Sequence, residues 1–216
     1  MGEVFETPIR ELVEGGLERV GQYVETNGTH LIFCWLALIF LKTHLKDWRL
    51  PLHRDRRSGD LRKIGSAYGP VSLQHIHVLA RSFFTESIIE KGAMGSLLIL
   101  PAERADEMFR PFDFADFYGP NSILLRLDDV CFVAVLDDGC GVNNFYLEHI
   151  QRVSAPLLPV QLREVLGEMS CIAANLKERP TFHSRFEGSR HIIGAQTPAR
   201  PELRNPLVEC LTINST

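Results

Sequence analysis

Histidines, aspartates and one cysteine are the residues whose types and spacing could do chemistry. His75 and His77 form an H-x-H pair. On a strand both rings would share a face and could grip one divalent metal. Their surroundings, LQHIHVLARSFF, repeat apolar residues at helical spacing. On a helix, residues i and i+2 point about 200° apart, so one ion does not readily take both. Asp128-Asp129 and Asp137-Asp138 are paired carboxylates of the kind used for metals or acid–base steps. Each pair follows an apolar run, where turn residues belong, so two turns are the simpler expectation. Cys140 sits between Gly139 and Gly141. A thiol there becomes a nucleophile only beside a base, for which His149 and His75 are candidates. Convergence of Asp129, Asp137 and the histidines would make a metal-dependent hydrolase or nuclease. Spacing alone does not bring them together, so no catalytic residue, metal ligand or cofactor is assigned.

A second chemistry is electrostatic. Residues 42–63, KTHLKDWRLPLHRDRRSGDLRK, hold eight Lys/Arg and three Asp, a local +5. The rest of the chain then sums to −9, within an overall −4. Arginine dominates, and its planar fork suits bidentate contacts with phosphate or carboxylate. Arg49, Arg54, Arg56, Arg57, Arg62 and Lys63 are the expected binding residues, with Trp48 and His53 available for stacking. The expected partner is an acidic macromolecule, nucleic acid or an acidic protein face. A solvated loop neutralised by the acidic remainder is the simpler alternative.

Other patterns carry less. His53-Arg54-Asp55 spells H-R-D, but the glycine-rich loop, strand lysine and D-F-G of kinases are absent. No G-x-G-x-x-G or Walker A motif occurs, so phosphate cradling by a glycine loop has no support. Residues 109–118, FRPFDFADFY, interleave aromatic and charged residues. They read as a loop folding its rings onto the core, or as a docking surface for an assembly subunit or homo-oligomer.

Composition bounds these readings. Hydrophobic residues make up 45 % and charged residues 23 % of 216, which is globular usage, and excludes collagen-like, coiled-coil and wholly disordered chains. The five cysteines (34, 131, 140, 171, 210) are widely spaced without C-x-x-C, so neither a disulfide framework nor a zinc ribbon fits. A reducing, cytoplasmic setting is expected. The N-terminal MGEVFETPIRELVEGG lacks the regions of a signal peptide. The longest apolar run, Leu31 to Leu41, is about half a bilayer span and predicts a buried helix rather than a membrane one.

The elements that must position these groups follow from periodicity. Thr7-Pro8 predicts a helix start, with Gly15-Gly16 weakening the helix and Asn27-Gly28 ending it. A second helix, apolar all round for three turns, runs from about Thr29 toward Pro51. His30 and His44 bracket it about 21 Å apart, too far to share a site. A short helix is expected at 61–68 and a longer one over 73–91. The period then changes. SLLIL, ILLRL and VCFVAVL predict strands, with Asp128-Asp129 as a hairpin turn and a further strand at 142–147. VCFVAVL is apolar on both faces, so it should be covered on both. Pro159 opens a last helix that Pro180 closes, and a Pro-containing extended tail from about 184 ends in an edge strand at 208–213.

Segregated helices and strands point to an α+β fold. It comprises N-terminal helices with one buried at the centre (about 7–91), an antiparallel sheet of about three to five strands (about 95–147), and a C-terminal helix (about 159–178) covering that sheet. One domain over 1–216 is expected.

Overall fold

A computed structural model of the chain describes residues 5–46, 70–104, 112–117, 119–143, 155–198 and 201–205. The architecture is α+β, with five helices and two sheets among the described residues. The expected elements at 61–68 and 208–213 lie outside the described residues.

The N-terminal helical stretch is divided, where one weakened helix was expected. Helix α1 covers Thr7–Glu14 and α2 covers Gly16–Asn27. Gly16 adopts φ +72°, a left-handed conformation that glycine tolerates, and the chain turns there. Helix α3, His30–Lys46, carries the long apolar run, and every residue from Leu31 to Ala37 is buried. Helix α4 is Pro70–Ser82.

The larger sheet explains why α3 needs no polar face. It has four antiparallel strands in the order β2-β5-β4-β3, where β2 is Ser96–Pro101, β3 Phe112–Phe117, β4 Ser122–Leu127 and β5 Val130–Val135. Every residue of β5 is buried. Its alternate side chains divide between two cores. Val130, Phe132 and Ala134 pack in the cluster that holds α3, Ile76 and Leu79 of α4, and Ile9 of α1. Trp35 of α3 meets Phe132 edge-on, with ring centroids 5.9 Å apart. Cys131, Val133 and Val135 belong to the second cluster, with Leu162, Val165, Leu166, Met169 and Ile172 of helix α5, Pro159–Asn175. Each such burial stabilises by roughly 1.5–3 kcal/mol per large apolar side chain. Gly95 lets β2 approach this strand, because a Cβ there would lie 1.8 Å from the Val135 carbonyl oxygen.

Three elements differ from expectation. The helix read over 73–91 stops at Ser82, and Ile88–Ile89 form a short strand, β1. Glu86 takes φ +49° just before it, a reversal that no continuing helix permits. Phe112–Phe117 is the outer strand β3, not a loop. Phe114 joins the α3 cluster while Ala115 packs against the α5 cluster, so its period is two. The first part of the expected extended tail, from 184 to 196, instead belongs to a hairpin, β6 (Thr181–Glu187) and β7 (Arg190–Gln196), turning at Gly188 with φ +63°. It forms a second sheet, β1-β7-β6, with β1 parallel to β7. Val142, expected to open a strand, lies in the turn after β5 and Asn143 is helical, while 144–147 lie outside the described residues.

Among the described residues no single helix is long and apolar enough to cross a membrane; α2 and α3 pass such a test only together, and are bent by 112° at their junction.

Candidate functional site

The turn after β5 gathers the most polar chemistry. Asp138 is buried, and its carboxylate accepts from the Ser96 N–H (2.8 Å), the Ser96 hydroxyl (2.6 Å) and the Val142 N–H (2.7 Å). It thereby ties the start of β2 to the turn that follows β5. Ser96 Oγ accepts in turn from the Asn143 N–H at 3.0 Å. Asp137 points elsewhere. It accepts from Asn121 Nδ2 at 2.7 Å and lies 3.7 Å from an Arg179 guanidinium nitrogen. Burial raises both carboxyls. Asp137 rises to about 6, with the Asn121 hydrogen bond and the Arg179 charge opposing the rise. Asp138 is raised by burial against its three donors. Neighbouring carboxylates in one turn therefore point to different partners, as adjacent residues do.

Gly139 and Cys140 both adopt left-handed conformations, φ +61° and +63°. The Cys140 sulfur lies 3.5 Å from the carbonyl oxygens of Met94 and Gly95. Beside it opens a cavity of about 260 Å³, lined by Asp138, Gly139, Cys140, Glu178, Thr197 and Pro201 among others. Among the described residues no histidine lines it. His149, one base considered for Cys140, lies outside the described residues.

The other candidate base and metal ligand, His75, is committed to the core. Its Nε2 lies 3.0 Å from the Ala93 carbonyl oxygen, and its ring stacks on Phe182 at a centroid distance of 3.3 Å. Burial lowers its pKa to about 4, partly offset by the Ala93 carbonyl. A ring held neutral in this way must donate Nε2–H to that carbonyl. His77, two residues on, is exposed. The helical expectation for the H-x-H pair is therefore met, and the two rings occupy different environments. Asp129 meets Arg104 at 3.2 Å in the β4–β5 turn, where Asp128 takes φ +50°. Among the described residues no group of three or more His, Cys, Asp or Glu is placed to hold a metal.

The histidines bracketing α3 have structural contacts at separate ends. His30 Nε2 lies 3.0 Å from Ser82 Oγ, which also approaches the buried Cys34 sulfur at 3.3 Å. Burial pushes that thiol up to about 11, away from nucleophilic use. His44 is fully buried, packed on Phe40 and paired with Asp116 of β3.

The basic segment is met only at its start. Lys42 Nζ lies 3.7 Å from a Glu6 carboxylate oxygen, with Lys42 half-buried and Glu6 exposed. Arg49, His53, Arg54, Arg56, Arg57, Arg62 and Lys63 lie outside the described residues.

Sequence reasoning missed the exposed hairpin. Thr181 and residues 183–187 of β6 are all exposed, and Phe186 is 73 % exposed, more than any other large apolar residue described. Glu187-Gly188-Ser189-Arg190, a Gly-Ser pair between residues that pair across the turn, was the available signal. No protein-family model, curated protein or solved structure matches this chain.

Proposed function

We propose that the protein is a non-enzymatic binding protein that uses its basic segment, residues 42–63, to engage an acidic macromolecule. The observation that carries this reading is the charge division of the chain, +5 over these residues and −9 over the remainder. A short arginine-rich stretch in an acidic chain favours contacts with phosphates or carboxylates outside the molecule, and repels its own kind elsewhere.

The geometry of the other candidates supports the same choice. His75 is spent on a carbonyl and an aromatic stack, Asp138 on three donors, Asp129 on Arg104, and Asp137 on Asn121. These groups face separate partners, and among the described residues no three of them meet to hold a metal, so the hydrolase alternative has less support.

Charge reversal tests the proposal. Arg54→Glu, Arg56→Glu and Arg57→Glu combined should reduce binding of a duplex or single-stranded oligonucleotide, or of a polyglutamate peptide, by at least about a hundredfold at low salt, given typical energies for charged contacts. For nucleic acid the affinity should also fall linearly with the logarithm of salt concentration. Unchanged affinity in the triple variant for each of these probes would overturn the reading.

A further inference from the structure

The hairpin sheet ends in an open edge. Strand β6 has β7 on one side and, among the described residues, no strand on the other. It runs for seven residues, TFHSRFE, without proline or lysine. Edge strands of this length are ordinarily blunted by such residues or covered, because their unpaired N–H and C=O groups template another strand.

Hairpin geometry says which groups are free. The two-residue turn makes Glu187 and Arg190 the closing pair, which in such turns exchanges both hydrogen bonds. Alternation then assigns Arg185, His183 and Thr181 inward to β7. The backbone groups of Phe182, Ser184 and Phe186 therefore point outward. Their side chains share one face, on which Phe182 stacks against His75 and Phe186 lies 4.9 Å from the ring of His191.

We propose that this edge pairs with the same edge of a second copy of the chain, antiparallel, about a two-fold axis at Ser184. That register is the one in which all three outward-facing residues find outward-facing partners: Ser184 with Ser184, and Phe182 with Phe186 twice. It forms about six backbone hydrogen bonds and joins two three-stranded sheets into one of six strands. Each Phe186 ring comes opposite a Phe182 of the second copy, a cross-strand aromatic pair that removes the exposed ring from water.

Charge permits the approach. On the opposite face Arg185 is held by Glu90 at 2.7 Å and by Glu187 at 3.0 Å. It therefore meets the other copy already neutralised. Glu187 lies diagonal to His183 of the second copy, and no like-charged carboxylates face each other. An isologous contact of this kind closes on itself and builds a dimer, not a fibre.

Sedimentation equilibrium of the full chain, from micromolar to near-millimolar concentration, tests this. The chain should dimerise. Ser184→Pro removes the outward N–H at the axis while leaving the ladder to β7, and should weaken the dimer by about tenfold or more. Phe186→Glu places a carboxylate against Phe182 of the second copy and should abolish it, which keeps the test decisive if the proline variant fails to fold. A chain that stays monomeric throughout, whether or not it captures a foreign extended peptide, overturns the proposal. So does a dimer that Phe186→Glu leaves intact.

Discussion

The two sheets of this molecule are opposites. The four-stranded sheet is a middle layer, with α3 and α4 on one face and α5 on the other, and β5 is buried at every position. The three-stranded sheet buries Ile192 and Ile193 of β7 but leaves β6 largely in solvent. The first buys stability; the second offers surface. Polar residues follow the same division. Inside, each is enclosed in a structural bond, as Ser122 with Ser170 and Asp138 with Ser96. On the hairpin, charges pair laterally in water, where ion pairs contribute little. Both contacts proposed above, the hairpin edge and the basic segment, lie apart from the turn beside the cavity.

The sharpest break of this comparison is a matched truncation. Phe132→Ala in the middle layer should cost about 3–5 kcal/mol in urea unfolding. Phe186→Ala, measured at a concentration low enough to keep the chain monomeric, should change stability by no more than about 0.5 kcal/mol. Similar losses at both sites would erase the distinction.

The next effect is a pH dependence originating in the buried turn. Asp137 titrates near 6 when folded, above the ordinary 3.8. A raised carboxyl favours folding fully below the unfolded value, and that contribution is lost as pH rises through the folded one. Asp137→Asn removes the titration. From pH 4 to 7 the variant should therefore gain on the natural protein by about 2 kcal/mol, at 1.36 kcal/mol per unit. Parallel stability profiles would show that this carboxyl is not buried in solution. His75 acts in the opposite sense in both. Its lowered pKa protects stability above about 6.5 and withdraws it as pH falls toward 4.

Much of the middle layer was legible in the sequence, because burial on two faces writes itself as unbroken apolar residues. VCFVAVL, ILLRL and the all-apolar stretch of α3 appear where expected, and Asp128-Asp129 turns the hairpin. The hairpin sheet was not legible for the converse reason. TFHSRFE has two aromatic anchors and five polar residues, so neither period shows, and only the Gly-Ser turn betrays it. Ile88 extended the helical spacing of Phe84, and the left-handed Glu86 that ends the helix leaves no mark in a residue type. In FDFADF the aspartates masked a period-two pattern, since Asp113 and Asp116 are matched by Arg163 and His44 from distant helices. Such long-range pairs cannot be read from one sequence.

Hydrogen exchange on the full chain, with and without a saturating oligonucleotide or polyglutamate at low salt, addresses the functional account most directly. Binding through the basic segment should give new protection within residues 42–63 and unchanged exchange in β2, β5 and the Asp137–Gly141 turn. Protection that instead appears around Asp138, Cys140 and Thr197, with the basic segment unaffected, would contradict it and move the function to the cavity.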